Sequence, residues 1–144
     1  MMTAQVEKYS DALQDLVKLY PDHWEELALD KEHPEAALAP MWEIYAEREA
    51  NGQLLVVTLR ELGEMLGYFL GFIAPGLHYR NCLTCHGDIF RVVTSARGRI
   101  GGKRLVRAVL EECERRGVKR IFLGEKLHAP CGELFAAFGA RPVE

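Results

Sequence analysis

Residues 96–113 read Ala96-Arg97-Gly98-Arg99-Ile100-Gly101-Gly102-Lys103-Arg104-Leu105-Val106-Arg107-Ala108-Val109-Leu110-Glu111-Glu112-Cys113. Leu105, Val106, Val109, Leu110 and Cys113 recur at helical spacing, and Gly117 closes the helix they predict. The glycines therefore stand at the mouth of a helix. On the other side of them, the stretch from Leu83 to Val93 predicts a strand. A strand that runs into a glycine loop and then a helix leaves backbone N–H groups unpaired at the helix start, a ready seat for phosphate. Glycine lets the backbone approach a ligand closely, and Arg97, Arg99, Lys103 and Arg104 surround the loop with positive charge. The pattern is neither a P-loop nor a G-x-G-x-x-G dinucleotide fingerprint.

Outward from the loop, the same reading gives a short strand from Arg120 to Gly124, a short helix from Gly132 to Phe138 and the start of a strand at Arg141. Towards the N-terminus, Leu54 to Leu59 and Gly67 to Ile73 predict a hairpin that turns between Glu61 and Glu64. Leu13, Leu16, Val17 and Tyr20 predict a helix from Tyr9 to Tyr20 that Pro21 stops, and Trp24, Leu27 and Ala28 add a further turn or two. Pro40 opens another helix that ends near Gly52. The order of elements implies one α/β domain over residues 1–144, a mixed sheet with helices on both faces.

Composition agrees with one globular domain: 144 residues, 49% of them hydrophobic and 27% charged. With no signal-peptide layout and no apolar run of membrane-spanning length, a cytoplasmic protein is expected, with no membrane partner. Cys82, Cys85, Cys113 and Cys131 are read as free thiols. Charge is lopsided. Residues 1–64 carry fourteen acidic against five basic side chains, whereas residues 91–120 carry ten basic against three acidic. The basic segment suits an anionic ligand, and the acidic one, with Glu25, Glu26, Asp30, Glu43, Glu47 and Glu49, suits a cationic acceptor.

The strand-loop-helix resembles the acetyl-coenzyme A site of Gcn5-related N-acetyltransferases, whose loop has the pattern Gln/Arg-x-x-Gly-x-Gly/Ala. Arg97 takes its first position and Gly102 its last, Ile100 stands where the middle glycine is usual, and Gly101 is its substitute. The resemblance runs from about His23 to Glu144. It looks closest to a phage-associated subgroup that includes internal virion protein A-like proteins, through His23-Trp24-Glu25-Glu26, Gly67-Tyr68, His78-Tyr79, Asp88 and Leu134-Phe135 before Gly139. It implies a mostly antiparallel sheet and acetyl-CoA as co-substrate, seated on Arg97, Gly98, Arg99, Gly101, Gly102 and Lys103. It also implies an oxyanion donor on the strand ending at Val92-Val93, and a bacterial host cytoplasm if the chain is phage-encoded. The family normally has two further strands after Gly139, so either the last hairpin is curtailed or another chain completes it, as in a homodimer.

Acetyl transfer to an amine needs a group to take the proton of a nucleophile whose pKa is about 10.4. Asp88 and His86 lie two apart on the predicted strand and share a face; either serves as base, with Asp88 preferred from the resemblance. The competing role for Asp88 is a structural pair with Arg80 or Arg91. His78 and Tyr79, after the hairpin, are candidates for the acceptor end of the cleft. The family's tyrosine acid aligns with Phe135, so Tyr79 or Cys131 would substitute.

Cys82-Leu83-Thr84-Cys85-His86 also matches the haem attachment pattern C-x-x-C-H and offers three zinc ligands. No second ligand pair follows at finger spacing, and no metal is expected. Two readings from other classes remain: a module of the same fold that binds the coenzyme or a host partner without turnover, and, less favoured, a nucleic-acid binder using the basic segment.

Overall fold

The structure, a computed structural model, describes residues 1–125 and 131–143. Strands β1 (Thr3–Val6), β2 (Leu54–Glu61), β3 (Glu64–Gly76), β4 (Tyr79–Val92) and β5 (Arg120–Phe122) form one sheet in sequence order. The first three pairings are antiparallel and β4 with β5 is parallel. Helices α1 (Tyr9–Leu27) and α2 (Trp42–Ala50) cover one face, and α3 (Gly101–Arg115), with the short α4 (Gly132–Ala136) beside it, covers the other.

Periodicity explains the division. On α1, Tyr9, Ala12, Leu16, Tyr20 and His23 are buried at spacings of three and four and meet Leu54, Val56, Tyr68 and Leu70 of the sheet. The alternate strand residues Leu55, Val57, Leu59 and Phe69 point the other way, onto Leu105, Val109 and Cys113 of α3. Full burial of each such aliphatic side chain contributes about 1.5–3 kcal/mol. At the β2–β3 turn, Leu62 and Gly63 both have positive φ, 52° and 82°, the mirror-image turn that matches strand twist.

Three expectations need correction. Pro21 does not stop the first helix, which runs on to Leu27. Pro21 and Val17, whose carbonyl loses its N–H partner, both lie on the exposed face, where water can replace the missing bond. The third strand begins at Tyr79 rather than Leu83, and β1 has no counterpart in the sequence reading. No strand forms at Arg141–Val143, which is exposed and irregular.

Two features, one on each edge of β4, open the sheet. Leu70 pairs with Ile89 and Gly71 with Gly87, so Asp88 is the extra residue of a β-bulge. On the other edge, β5 pairs with β4 only through Thr84, Cys85 and His86. Beyond His86 the two strands part. Gly71 and Gly87, cross-strand neighbours, leave bare backbone at this fork, and the Phe69 ring lies over it: a Cβ on Gly71 would come within 2.8 Å of that ring, and one on Gly87 within 3.1 Å.

Candidate active site

A cavity of about 850 Å³ occupies the fork. Phe69, Gly87 and the bulge at Asp88 form its floor, α1 contributes Tyr20, His23 and Glu26, and Phe135 on α4 closes the far side. The Val93 N–H is bonded to the Leu66 carbonyl of β3 at 2.8 Å, so strand alternation turns the Val92 N–H towards the open side. Within the fork, β4 thus presents backbone groups that β5 does not satisfy.

The loop after β4 borders the same cavity. Arg97, Gly98, Arg99, Gly102 and Lys103 line it with Val92, as the sequence pattern implies. Arg97 is anchored by its Nε, which donates to the Val92 carbonyl at 2.8 Å, and by an ion pair with Glu26. Gly98 has φ +78°, a conformation that favours glycine. Gly102 faces the cleft, where a Cβ would stand 3.2 Å from Leu134. The other two expected residues are placed differently. Gly101 faces the core, where a Cβ would stand 2.7 Å from Leu59, so it lets α3 approach β2 rather than a ligand approach the loop. Val93 does not line the cavity.

Of Asp88, His86, His78 and Tyr79, only Asp88 lines the cavity. Its Oδ2 accepts from the Tyr45 hydroxyl at 2.5 Å, and it makes no ion pair with Arg80 or Arg91 among the described residues. Burial, and then the hydrogen bond to Asp88, push the Tyr45 phenol above its ordinary range, so it stays a donor. His86 is exposed and stacks on Phe122, with ring centroids 5.2 Å apart. It shares a sheet face with Asp88 but lies outside the cavity lining, on the paired segment before the strands separate. His78 and Tyr79 sit at the other end of the β3–β4 hairpin; Asp88 is nine residue steps along the strand from Tyr79, roughly 30 Å at about 3.3 Å per step. Tyr79 instead packs under the Arg120 guanidinium, and neither residue can reach the fork.

Phe135 packs edge-to-face on Phe90, with centroids 5.3 Å apart, and offers no proton. Cys131 lines the cavity, but burial and the charge of Glu125 push its thiol up to about 11, so proton donation to a thiolate near 8.5 would run uphill. Cys82 and Cys85, three apart on β4, face opposite sides of the sheet, with Cys85 fully buried, and so do not converge with His86 on one ion. All four cysteines are free thiols.

Sequence reasoning missed a cluster on the α1 side. The His23 Nδ1 lies 2.7 Å from the Tyr68 hydroxyl, and Glu26 meets Arg91 as well as Arg97. Burial and then the Arg91 charge hold His23 down at about 4, so it is neutral at pH 7. Of the acidic wall, Glu26 alone borders the cavity, and its charge is met by two guanidiniums; Glu25 pairs with Lys31, and Glu49 accepts from the Tyr9 N–H. The basic segment is largely tied internally, with Arg99 on Glu61, Arg104 on the Met2 carbonyl, and Arg115 and Arg116 on Glu112. No helix among the described residues is long and apolar enough to cross a membrane.

The sequence model described as the acetyltransferase (GNAT) family matches residues 13–139. The chain belongs to that family. The fold of this GNAT chain is shared with a predicted acetyltransferase of Clostridium acetobutylicum solved with acetyl-CoA, at TM-score 0.76 and 12% identity over 100% of this chain and 92% of that one. Glucosamine-6-phosphate N-acetyltransferase of Arabidopsis thaliana aligns at 0.73 and 14%, covering 100% and 94%. A ribosomal-protein-alanine N-acetyltransferase from Brucella melitensis biovar Abortus aligns at 0.71 and 14%, with the same coverage. At such identities these structures speak to the GNAT fold alone. No curated relative matches the chain.

Proposed function

We propose that this GNAT chain is an N-acetyltransferase that passes an acetyl group from acetyl-CoA directly to an amine. The observation that carries the reading is the fork: β4 beyond His86 offers unpaired backbone groups beside a cationic glycine loop, in a cavity of about 850 Å³. A pyrophosphate fits the loop from Arg97 to Lys103 at the start of α3. An amide-bearing arm fits the open edge of β4. Acetyl-CoA has both and supplies the thioester whose C–S bond breaks as the new C–N bond forms. Asp88, at the bulge, takes the proton of the attacking amine directly or through water, and Tyr45 holds its carboxylate in place. The Val92 N–H, turned to the open side, is a candidate donor to the developing oxyanion.

The names of two structural neighbours, a glucosamine-6-phosphate and a ribosomal-protein-alanine N-acetyltransferase, support an amine acceptor without choosing one. The phage-associated subgroup, and with it a host-cytoplasm location, rests on the sequence motifs alone.

Acetyl-CoA turnover against an amine panel, alongside coenzyme binding by calorimetry, tests the proposal. Gly102→Val, which fills the cradle opposite Leu134, should abolish coenzyme binding in a folded protein; unchanged affinity would remove the site. A second reading, coenzyme binding without turnover, is favoured by one observation, the absence of a hydroxyl at Phe135. Tight binding with no product from any amine would select it.

A further inference from the structure

Arg91 lies on β4 between the bulge and the glycine loop, with its side chain only 6% exposed, and it borders the cavity. Its Nη2 is 3.5 Å from Glu26 Oε2, while Nε and Nη1 are buried with no hydrogen-bond partner among the described residues. Glu26 cannot satisfy it fully, because the same carboxylate is engaged by Arg97. Among the described residues no second carboxylate lies within ion-pair reach of Arg91: Glu26 is its one acidic partner, His23 is neutral at pH 7, and Tyr20 and Tyr68 are phenols whose pKa values burial raises. The Tyr20 hydroxyl is itself buried with no hydrogen-bond partner among the described residues. Two guanidiniums therefore share one carboxylate, and Nε and Nη1 of Arg91, buried in a side chain that borders the cleft, have no partner among the described residues. A guanidinium is always charged and matches planar or tetrahedral oxyanions well, so such a deficit fits a ligand that brings the missing charge.

The geometry points to Arg91 as the receptor for an oxyanion, carboxylate or phosphate, carried by the amine acceptor. This rests on the acetyltransferase reading and narrows it. Arg91 is three residues from Asp88 on one strand, about 10 Å between backbones at about 3.3 Å per residue. A small zwitterion spans that interval, with its amine at Asp88 and its anion at Arg91. The cationic acceptor that the acidic N-terminal half suggests becomes an amine with a negative charge of its own.

Matched acceptors test this. Amino acids of increasing chain length are compared with their carboxamides, and aminoalkyl phosphates with the corresponding amino alcohols, on the wild-type protein and on Arg91→Gln and Arg91→Lys. The anionic member of a pair should be preferred by about a hundredfold in kcat/KM, and whichever series shows it identifies carboxylate or phosphate. Arg91→Gln should erase the preference through the acceptor KM while leaving the KM for acetyl-CoA unchanged, and Arg91→Lys should restore part of it. Equal use of acids and amides by the wild type would overturn the proposal. So would an Arg91→Gln effect confined to acetyl-CoA, which would assign the guanidinium to the coenzyme. The NMR signal of the Arg91 Nε–H, titrated with the same compounds, reads occupancy without turnover and without a variant. A shift produced by the anionic member alone supports the site even if no transfer occurs, in which case the acetyltransferase reading fails by itself. No shift with any of them sinks the oxyanion site.

Discussion

The Tyr45 hydroxyl donates to Asp88 at 2.5 Å and so ties α2 to the one bulged residue of β4. A bulge re-aims its side chain, and here that places a carboxylate in the cleft with one oxygen bonded by a phenol and the rest of its acceptor capacity free. If Asp88 is the base, Asp88→Ala should lose roughly 10²–10⁴ in kcat at unchanged coenzyme affinity. Tyr45→Phe should lose less, because the carboxylate remains and only its hold is gone. Single-turnover rates and calorimetry check both, and an unimpaired Asp88→Ala enzyme would place proton removal elsewhere.

Adjacent glycines should behave oppositely. Gly101→Ala brings a methyl within 2.7 Å of Leu59, so it should cost about 1–3 kcal/mol of stability and little in the affinity of the protein that folds. Gly102→Val should cost affinity with little loss of stability. Denaturant titration and calorimetry on the two variants separate these effects, and exchanged roles would mean that the register of α3 is wrong by one residue.

His23 gives the stability a pH dependence. Its folded pKa, about 4, lies below its ordinary 6.5, because burial first and Arg91 second disfavour the charged ring. The unfolded chain therefore binds the proton first, so this contribution to stability is whole above pH 6.5 and is lost as pH falls towards 4. Wild type should lose stability over that window more steeply than His23→Gln. The ring's NMR titration should have its midpoint far below 6.5; a midpoint at or above 6.5 would contradict the environment described.

Leu105, fully buried between α3 and the sheet, tests the packing itself. Leu105→Ala should cost about 2–5 kcal/mol in urea unfolding. A loss under about 1 kcal/mol would mean that α3 does not seat on β2 and β3 as described.

How much of this was legible in the sequence varies by element. The helical stripe of α3, the β2–β3 hairpin and the loop from Arg97 to Lys103 are local patterns, and they stand where periodicity and glycine placement put them. β1 was not legible: four residues with only one partly buried side chain carry little alternation, and pairing with β2 alone makes them a strand. Pro21 misled because a proline's cost depends on whether the freed carbonyl meets water, which sequence does not state. His86 and Asp88 look equivalent at a spacing of two, and only the fork separates them. Tyr79 needed the length of β4. Arg91 did leave a signal, an arginine between Phe90 and Val92 on a strand otherwise reading as core, but the partners it lacks are visible only in three dimensions.

Three residue pairs, Thr84 with Arg120, Cys85 with Ile121 and His86 with Phe122, make the register between β4 and β5 among the described residues, with the Lys119 N–H on the Leu83 carbonyl just before them. Anything lodged in the fork becomes a further set of rungs across the same gap. A ligand held there would link its occupancy to the pairing of β5: bound, it acts as a splint that slows amide exchange in β5, and its departure loosens the wall it leaned on.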